Sequence, residues 1–290
     1  MQALTMNRVL IGLIGSNVEK SLSPALHEDA CSAQGIVGHY HLMDLAVLPG
    51  RTLESILTAV RTVGFSGVNV TFPCKEAVLP LLSALSPEAR QIGAVNTVTI
   101  DAEGKTCGHN TDRTGFRRAF EEELGKDAAL GKPVLLVGAG GAGRAVAFAL
   151  FDLGVDLLLI HDQEIGRANR LAEELGEQFG RGRSRAVEDP TSGLAQAAGA
   201  VNATPVGMLG MLGLPMPLEA IESRHWIADV IYTPLETRLV EAARLKGCKV
   251  MGGSGMCVHQ AAESFRLFTG REPDVERMRR KFSDAARLRG

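Results

Sequence analysis

The chain of 290 residues has room for about two domains at ~150 residues each, and its 31 basic and 33 acidic side chains leave a formal net charge of −2. So even a balance argues against nucleic acid as the main partner, since counterion release needs a concentrated basic face. An apolar share of 45% and a charged share of 22% supply a sizeable core and exclude a disordered chain, and no stretch of 18 apolar residues offers a membrane span.

Short apolar runs alternate with longer amphipathic ones, the pattern of an α/β protein. Residues 9–15 read as a buried strand, after which Ser23-Pro24 opens a helix, with serine at the N-cap and proline first inside. Residues 39–45 read as a strand, 53–63 as a helix, and 67–71 as a strand stopped by Pro73. A helix over about 75–82 follows. Residues 94–100 and 105–109 form a hairpin pattern around Asp101-Ala102-Glu103-Gly104, so the N-terminal part holds a mixed sheet. From Gly131 the order changes to a parallel βαβ series. Strands at 134–137 and 157–160 are each followed by a helix, the first over 144–153, and strands at 199–202 and 226–231 continue the series. Residues 256–267 and 273–288 read as terminal helices, and 207–217 as a Met/Gly/Pro loop.

Gly138-Ala139-Gly140-Gly141-Ala142-Gly143 is a G-x-G-x-x-G between an apolar strand and a helix, the context that gives the motif its meaning. The first glycine permits a tight turn, the second lets a pyrophosphate reach the backbone, and the third packs helix on strand. The helix N-terminus then offers N–H groups to the phosphates. Asp162, just past the next strand, suits a ribose 2′-hydroxyl and repels a 2′-phosphate; its plainer role is a helix N-cap. Gln163 beside it is neutral, while Arg167 could suit a phosphate.

Lys75 and Asp112 each follow a strand. A lysine beside a carboxylate can relay a proton if burial lowers its pKa, although from spacing alone a solvated lysine is the better reading. Ser21 and Ser23 at a helix mouth could hold a carboxylate, or Ser23 could simply cap. Cys74 reads as an inert small residue rather than a reactive thiol, and no Cys/His cluster has zinc-ligand spacing, so no metal is expected. Five cysteines with no C-x-x-C pair, and an N-terminus without a signal-peptide apolar region, point to a reducing cytoplasm.

Eight stretches in fixed order make the chain resemble the shikimate/quinate dehydrogenase family almost end to end. They are Ser21-Leu-Ser-Pro-Ala-Leu-His27, Gly67-Val-Asn-Val-Thr-Phe-Pro-Cys-Lys75, Gly93-Ala-Val-Asn-Thr-Val98, Gly108-His-Asn-Thr-Asp112, the glycine loop, Asn202-Ala-Thr-Pro205, Asp229-Val-Ile-Tyr232 and Gly253-Ser-Gly-Met-Cys-Val-His-Gln260. The resemblance implies that Lys75 and Asp112 are the catalytic pair and that Ser21 and Ser23 hold a substrate carboxylate. Thr71, Asn96 and Gln260 would bind ring hydroxyls, with Tyr232 near the carboxylate end. Gly138, Ala139, Gly140, Gly141, Ala142, Gly143, Asp162, Arg167, Asn202, Ala203, Thr204, Pro205, Val230 and Gly253 would hold the cofactor. It also implies a substrate domain over 1–113, joined by the returning helices 257–290, facing a Rossmann domain over 114–256 across a cleft.

One departure bears on the cofactor. NADP-dependent members carry Asn-Arg-Thr after the second Rossmann strand, where this chain has Asp162-Gln163-Glu164. The expected cofactor is therefore NAD, with NADP possible. The expected activity is oxidation of shikimate to 3-dehydroshikimate, and of quinate to 3-dehydroquinate, by hydride transfer. The alternatives are an NADP-dependent biosynthetic shikimate dehydrogenase, a paralogue taking an amino-substituted shikimate, and a non-catalytic ligand sensor. The partner is a hydroxylated cyclohexane or cyclohexene carboxylate, with no nucleic acid or membrane, and the protein is expected as a monomer or homodimer.

Overall fold

Residues 8–47 and 49–288 are described by a computed structural model, and the chain divides into two units, Met1–Thr111 with Val258–Gly290, and Asp112–Cys257. The first unit runs β1 (Arg8–Gly15), α1 (Ser23–Ala33), β2 (Val37–Asp44), α2 (Leu53–Thr62), β3 (Gly67–Val70), α3 (Cys74–Ala77), β4 (Ala84–Leu85), α4 (Pro87–Ile92), β5 (Thr97–Ile100) and β6 (Thr106–His109). The strands form one sheet in the order β2-β1-β3-β5-β6-β4. β1 is parallel to β2 and β3, whereas β5 is antiparallel to β3 and β6, so the sheet is mixed.

Period-two alternation in β1 serves both faces of this sheet. Leu10 and Ile14 pack with Ile56, Leu57 and Val60, which recur at helical spacing on α2. Ile11 and Leu13 face the other way, toward Tyr40 and Phe268. These pairing directions have a consequence for the site. The C-terminal ends of β1, β3 and β6 and the N-terminal end of β5 all fall at one edge of the sheet.

The second unit runs α5 (Asp112–Glu123), β7 (Pro133–Val137), α6 (Gly141–Asp152), β8 (Leu157–His161), α7 (Ile165–Phe179), β9 (Ser184–Ala186), α8 (Pro190–Gln196), β10 (Gly199–Asn202), β11 (Trp226–Asp229), α9 (Arg238–Leu245), β12 (Lys249–Met251) and the start of α10 (Gly253–Thr269). The rest of α10 and α11 (Val275–Arg287) belong to the first unit. The sheet is parallel throughout, in the order β12-β11-β10-β7-β8-β9. Counted from β7 along the chain, that is the Rossmann order 3-2-1-4-5-6, with the topological switch point between β7 and β10.

Several elements differ from the sequence expectation for definite reasons. The helix expected over 75–82 stops at Ala77 and gives way to a 3₁₀ turn at Leu79–Leu81, because Pro80 has no N–H for the Glu76 carbonyl. α6 starts at Gly141, inside the glycine motif, rather than at Arg144. Poor helix propensity at glycine is overridden there by close packing on the sheet. Strands β4, β9 and β12, of two or three residues, are too short to show a period.

Candidate active site

The first unit gathers most of its candidate residues at the edge where β1, β3 and β6 end. Ser21 and Ser23 follow β1. The Ser21 hydroxyl donates to Ser23 Oγ at 3.1 Å and accepts the Ser23 N–H at 3.2 Å. Ser23 is not the N-cap: α1 already includes it, and Leu22 takes the cap position with no side-chain bond. Both hydroxyls are buried and lie together at a helix N-terminus, an arrangement suited to an anion.

Thr71 follows β3, its N–H bound to the Ile14 carbonyl at 3.0 Å. Half-buried Lys75 lies in α3, and its carbonyl accepts the Val95 N–H at 2.8 Å, which fixes α3 beside the segment carrying Asn96. Asn96 is buried and locked: its Oδ1 accepts the Thr111 N–H at 2.8 Å and the Thr97 hydroxyl at 3.1 Å, and its Nδ2 donates to Thr111 Oγ1 at 2.8 Å. Thr111 in turn reaches Gln260 Oε1 at 3.5 Å. Thr111 therefore joins two expected ring-binding amides, although the sequence reading gave it no role. Its signal was its place inside the Gly108–Asp112 stretch. Buried Asp112 follows it directly, opening α5 as the first residue of the second unit.

In the second unit the glycine loop has the backbone its motif requires. Gly138 has φ +105°, a region that L side chains rarely adopt. A Cβ on Gly143 would stand 1.9 Å from the Gly138 carbonyl oxygen, so only glycine lets α6 come this close. Gly140 caps α6, leaving the first-turn N–H groups of Gly141, Ala142 and Gly143 at the positive end of the helix.

Asp162 is not the cap of α7 either, since Glu164 holds that position. Its carboxylate accepts the Ala139 N–H at 2.8 Å through Oδ2 and the Glu164 N–H at 2.9 Å through Oδ1. Two carboxylate oxygens offer about four lone-pair sites, so acceptor capacity remains for a ribose hydroxyl. An Arg167 guanidinium nitrogen lies 3.3 Å from where a Gly140 Cβ would be, which puts this cation beside the loop. The loop geometry and the tethered acid thus fit a dinucleotide.

On the other side of the switch point, the loop after β10 is held from within. Asn202 Oδ1 accepts from the Thr204 N–H at 3.0 Å and the Thr204 hydroxyl at 2.7 Å, and Thr204 Oγ1 accepts the Val206 N–H at 3.1 Å. Asn202 Nδ2 donates to Asp229 Oδ1 at 3.0 Å. Fully buried Asp229 also accepts from the Ile231 N–H at 3.0 Å and the Thr237 hydroxyl at 2.7 Å. Burial outweighs those bonds and pushes its carboxyl up to about 6. The Gly253 N–H is bound to the Ile231 carbonyl at 3.2 Å and the Val230 N–H to the Asn202 carbonyl at 3.0 Å, so the segments from Asn202 to Pro205 and from Val230 to Tyr232 adjoin, with Gly253 at the start of α10 beside the second. Asp229 was legible only as part of a quoted stretch, with no role. Among the described residues no group of three or more His, Cys, Asp or Glu could hold a metal ion, and no helix is long and apolar enough to cross a membrane.

A Rossmann-ordered sheet with this glycine loop and tethered acid, in one chain with a second α/β unit bearing Lys75 and the linked Asn96 and Gln260 amides, defines a nicotinamide-dinucleotide oxidoreductase. Comparison with known proteins gives the class its particular family. The family described as the shikimate dehydrogenase substrate binding domain matches residues 13–98, and the shikimate 5'-dehydrogenase C-terminal domain matches 253–281. The quinate/shikimate dehydrogenase (NAD(+)) of Corynebacterium efficiens is 46% identical over 281 residues, spanning 94% of this chain and 97% of that protein. The shikimate dehydrogenase (NADP(+)) of Streptomyces avermitilis is also 46% identical, over 292 residues, spanning 99% and 98%. Among solved structures, quinate dehydrogenase from Corynebacterium glutamicum in complex with NAD superimposes with a TM-score of 0.87 at 44% identity, covering 96% of this chain and all of that one. The chain belongs to the shikimate/quinate dehydrogenase family.

Proposed function

We propose that this protein oxidises shikimate to 3-dehydroshikimate and quinate to 3-dehydroquinate with NAD as the hydride acceptor. Residues 1–113 with 257–290 hold the ring acid, and residues 114–256 hold the dinucleotide. Overall identity is 46% to an NAD-named and to an NADP-named relative alike, so it does not choose the cofactor. The observation that carries the choice is Asp162, fixed by the Ala139 and Glu164 N–H groups where a 2′-phosphate would need a cation.

The chain's own groups divide the work. Ser21 and Ser23 bind the carboxylate, with Tyr232 at that end, while Thr71, Asn96 and Gln260 bind the ring hydroxyls. Lys75 takes the proton of the reacting hydroxyl, and Asp112 hydrogen-bonds that hydroxyl and orients it for proton loss. The glycine loop and the α6 N-terminus hold the pyrophosphate, Asp162 the ribose, and the loops at 202–205, 230 and 253 the nicotinamide end. NAD, when bound, supplies the electrophilic ring carbon that accepts hydride.

The even charge and the odd cysteine count support a cytoplasmic enzyme without nucleic acid or membrane partners, acting as a monomer or homodimer. Initial rates with shikimate and quinate, each against NAD and NADP, test the reading. Turnover of either ring acid with NAD preferred is expected. A preference for NADP would put the biosynthetic alternative, with Arg167 on the 2′-phosphate, in its place.

A further inference from the structure

Behind Asn96 and Gln260 stands a second layer of polar side chains to which neither the comparisons nor the family's motifs give a role. Tyr40, Asn69 and Ser264 are buried, and their side chains bond to one another or to the residues behind the site. Their hydrogen bonds form one network that reaches the site. The Tyr40 hydroxyl donates to Asn69 Oδ1 at 2.8 Å. That bond turns the Asn69 amide so that its Nδ2 donates to Thr97 Oγ1 and to Ser264 Oγ, each at 3.0 Å. The Thr97 hydroxyl donates to Asn96 Oδ1 at 3.1 Å and also lies 2.9 Å from Ser264 Oγ. Ser264 Oγ lies 3.2 Å from Thr111 Oγ1 and 2.9 Å from the Gln260 backbone carbonyl one helical turn back. Thr111 receives from Asn96 Nδ2 and gives to Gln260 Oε1.

The Asn96 oxygen accepts two bonds, from the Thr111 N–H and the Thr97 hydroxyl, which fixes the polarity of that amide. The Gln260 oxygen accepts from Thr111. Both amides are thus held by hydroxyls of the second layer. Tyr40, at the far end, is itself held by a ring stack on His27, with centroids 4.8 Å apart.

We propose that Tyr40, Asn69 and Ser264 are positioning residues: a buried relay that holds Asn96 and Gln260 in the places from which they bind the ring hydroxyls. The proposal rests on the reading that these two amides bind a ring acid. It explains why a serine sits at position 264, a helix interior position where apolar packing alone would do. It also separates the relay from general core stability, because its endpoints meet the ring acid and none meets the dinucleotide.

The test is steady-state kinetics of the full chain, with thermal unfolding measured alongside. Ser264→Ala and Tyr40→Phe are each expected to raise KM for the ring acid about threefold to tenfold, the loss of one neutral hydrogen bond's worth of order. KM for the dinucleotide should stay within about twofold, since the relay residues all belong to the unit that holds the ring acid. In a Gln260→Ala background, Tyr40→Phe should add less to KM than it does in wild type, because part of its effect passes through that amide. Asn69→Asp, which cannot donate to Thr97 and Ser264, should raise KM while keeping the bond from Tyr40. Unchanged KM for the ring acid in Ser264→Ala, with or without a lower unfolding temperature, would overturn the relay, and that variant decides even if Tyr40→Phe fails to fold. Wild type inactive on both ring acids would overturn the functional reading and the relay with it. Active wild type with unaltered variants sinks the relay alone.

Discussion

The Asp162 carboxylate accepts the Ala139 N–H at 2.8 Å, so the acid that follows β8 is tethered to the glycine loop that follows β7. One residue thereby does two things: it shapes the phosphate-binding loop and presents a negative charge where the adenosine ribose is expected. Wild type should accordingly show a higher kcat/KM with NAD than with NADP, by about tenfold or more. Unit like charges ~4 Å apart repel by about 4 kcal/mol at an effective dielectric near 20, and solvent with Arg167 nearby reduces that figure. Asp162→Ala should lower kcat/KM for NAD and narrow the ratio. It also leaves the buried Ala139 N–H without its acceptor, so NADP gains little from this change alone. Adding Gln163→Arg supplies the missing cation and should reverse the preference. Initial rates with the two cofactors check each step; a double variant that still prefers NAD would mean the ribose does not meet residues 162 and 163.

Lys75→Ala should lower kcat by ~10²–10⁴, the usual worth of a positioned acid–base group. KM for the ring acid should move far less, because the lysine acts mainly on the proton in flight. Asp112→Asn should follow the same pattern with a somewhat larger KM change, as the proposed role of the side chain includes a bond to the substrate hydroxyl. Near-normal turnover in Lys75→Ala would remove that residue from the chemistry.

The serine pair allows a cleaner separation of binding from folding than most helix N-termini. Ser21 Oγ accepts the Ser23 N–H, whereas the Ser23 hydroxyl caps nothing. Ser23→Ala, which removes an acceptor of the Ser21 hydroxyl but no helix cap, should lower the unfolding temperature less than Ser21→Ala does while raising KM for the ring acid. A hydrogen bond to a charged group is worth ~1.5–3 kcal/mol, about 10- to 150-fold in affinity. Ser21→Ala should raise KM comparably and also lower the unfolding temperature. Equal affinity for the ring acid and its uncharged carboxamide, measured by calorimetry on wild type, would show that the serines hold no carboxylate.

What the sequence revealed and what it hid follow from the range of each interaction. The glycine loop and Asp162 were legible because strand, turn and helix around them are contiguous, and each glycine answers a local steric need. The two helix-cap readings failed for Ser23 and Asp162 because a polar residue close to a helix start has several local partners, and only coordinates choose among them. The relay was invisible for the opposite reason. Asn69 and Ser264 are 195 residues apart, and nothing in either neighbourhood announces the other. Their meeting depends on strand register in the first sheet and on the return of α10, which no local period encodes.

Two buried groups give the fold opposite responses to acid. His27 lies among Tyr40, Phe265 and Phe268, and burial pushes its imidazole down to about 3. Its folded value is below the ordinary 6.5, so the unfolded chain binds the proton first and stability falls as pH drops from about 6.5 toward 3. Between pH 7 and 5 this amounts to about 2 kcal/mol. Asp229 has the reverse sign. Its folded value is raised to about 6, so the native state binds the proton first, and acidifying over the same interval stabilises by about 1 kcal/mol. The two act in different units, so they can be read separately. Trp226, the single tryptophan, lies in the unit with Asp229, and its fluorescence in urea titrations reports that unit. Amide exchange in α1 reports the surroundings of His27. His27→Phe should remove the acid-induced loss of protection in α1. Asp229→Asn should remove the gain at pH 5 seen by Trp226, at some cost to NAD affinity because Asn202 and Ile231 lose a charged acceptor. Acid sensitivity of α1 that persists unchanged in His27→Phe would assign it to another group and overturn the histidine's part.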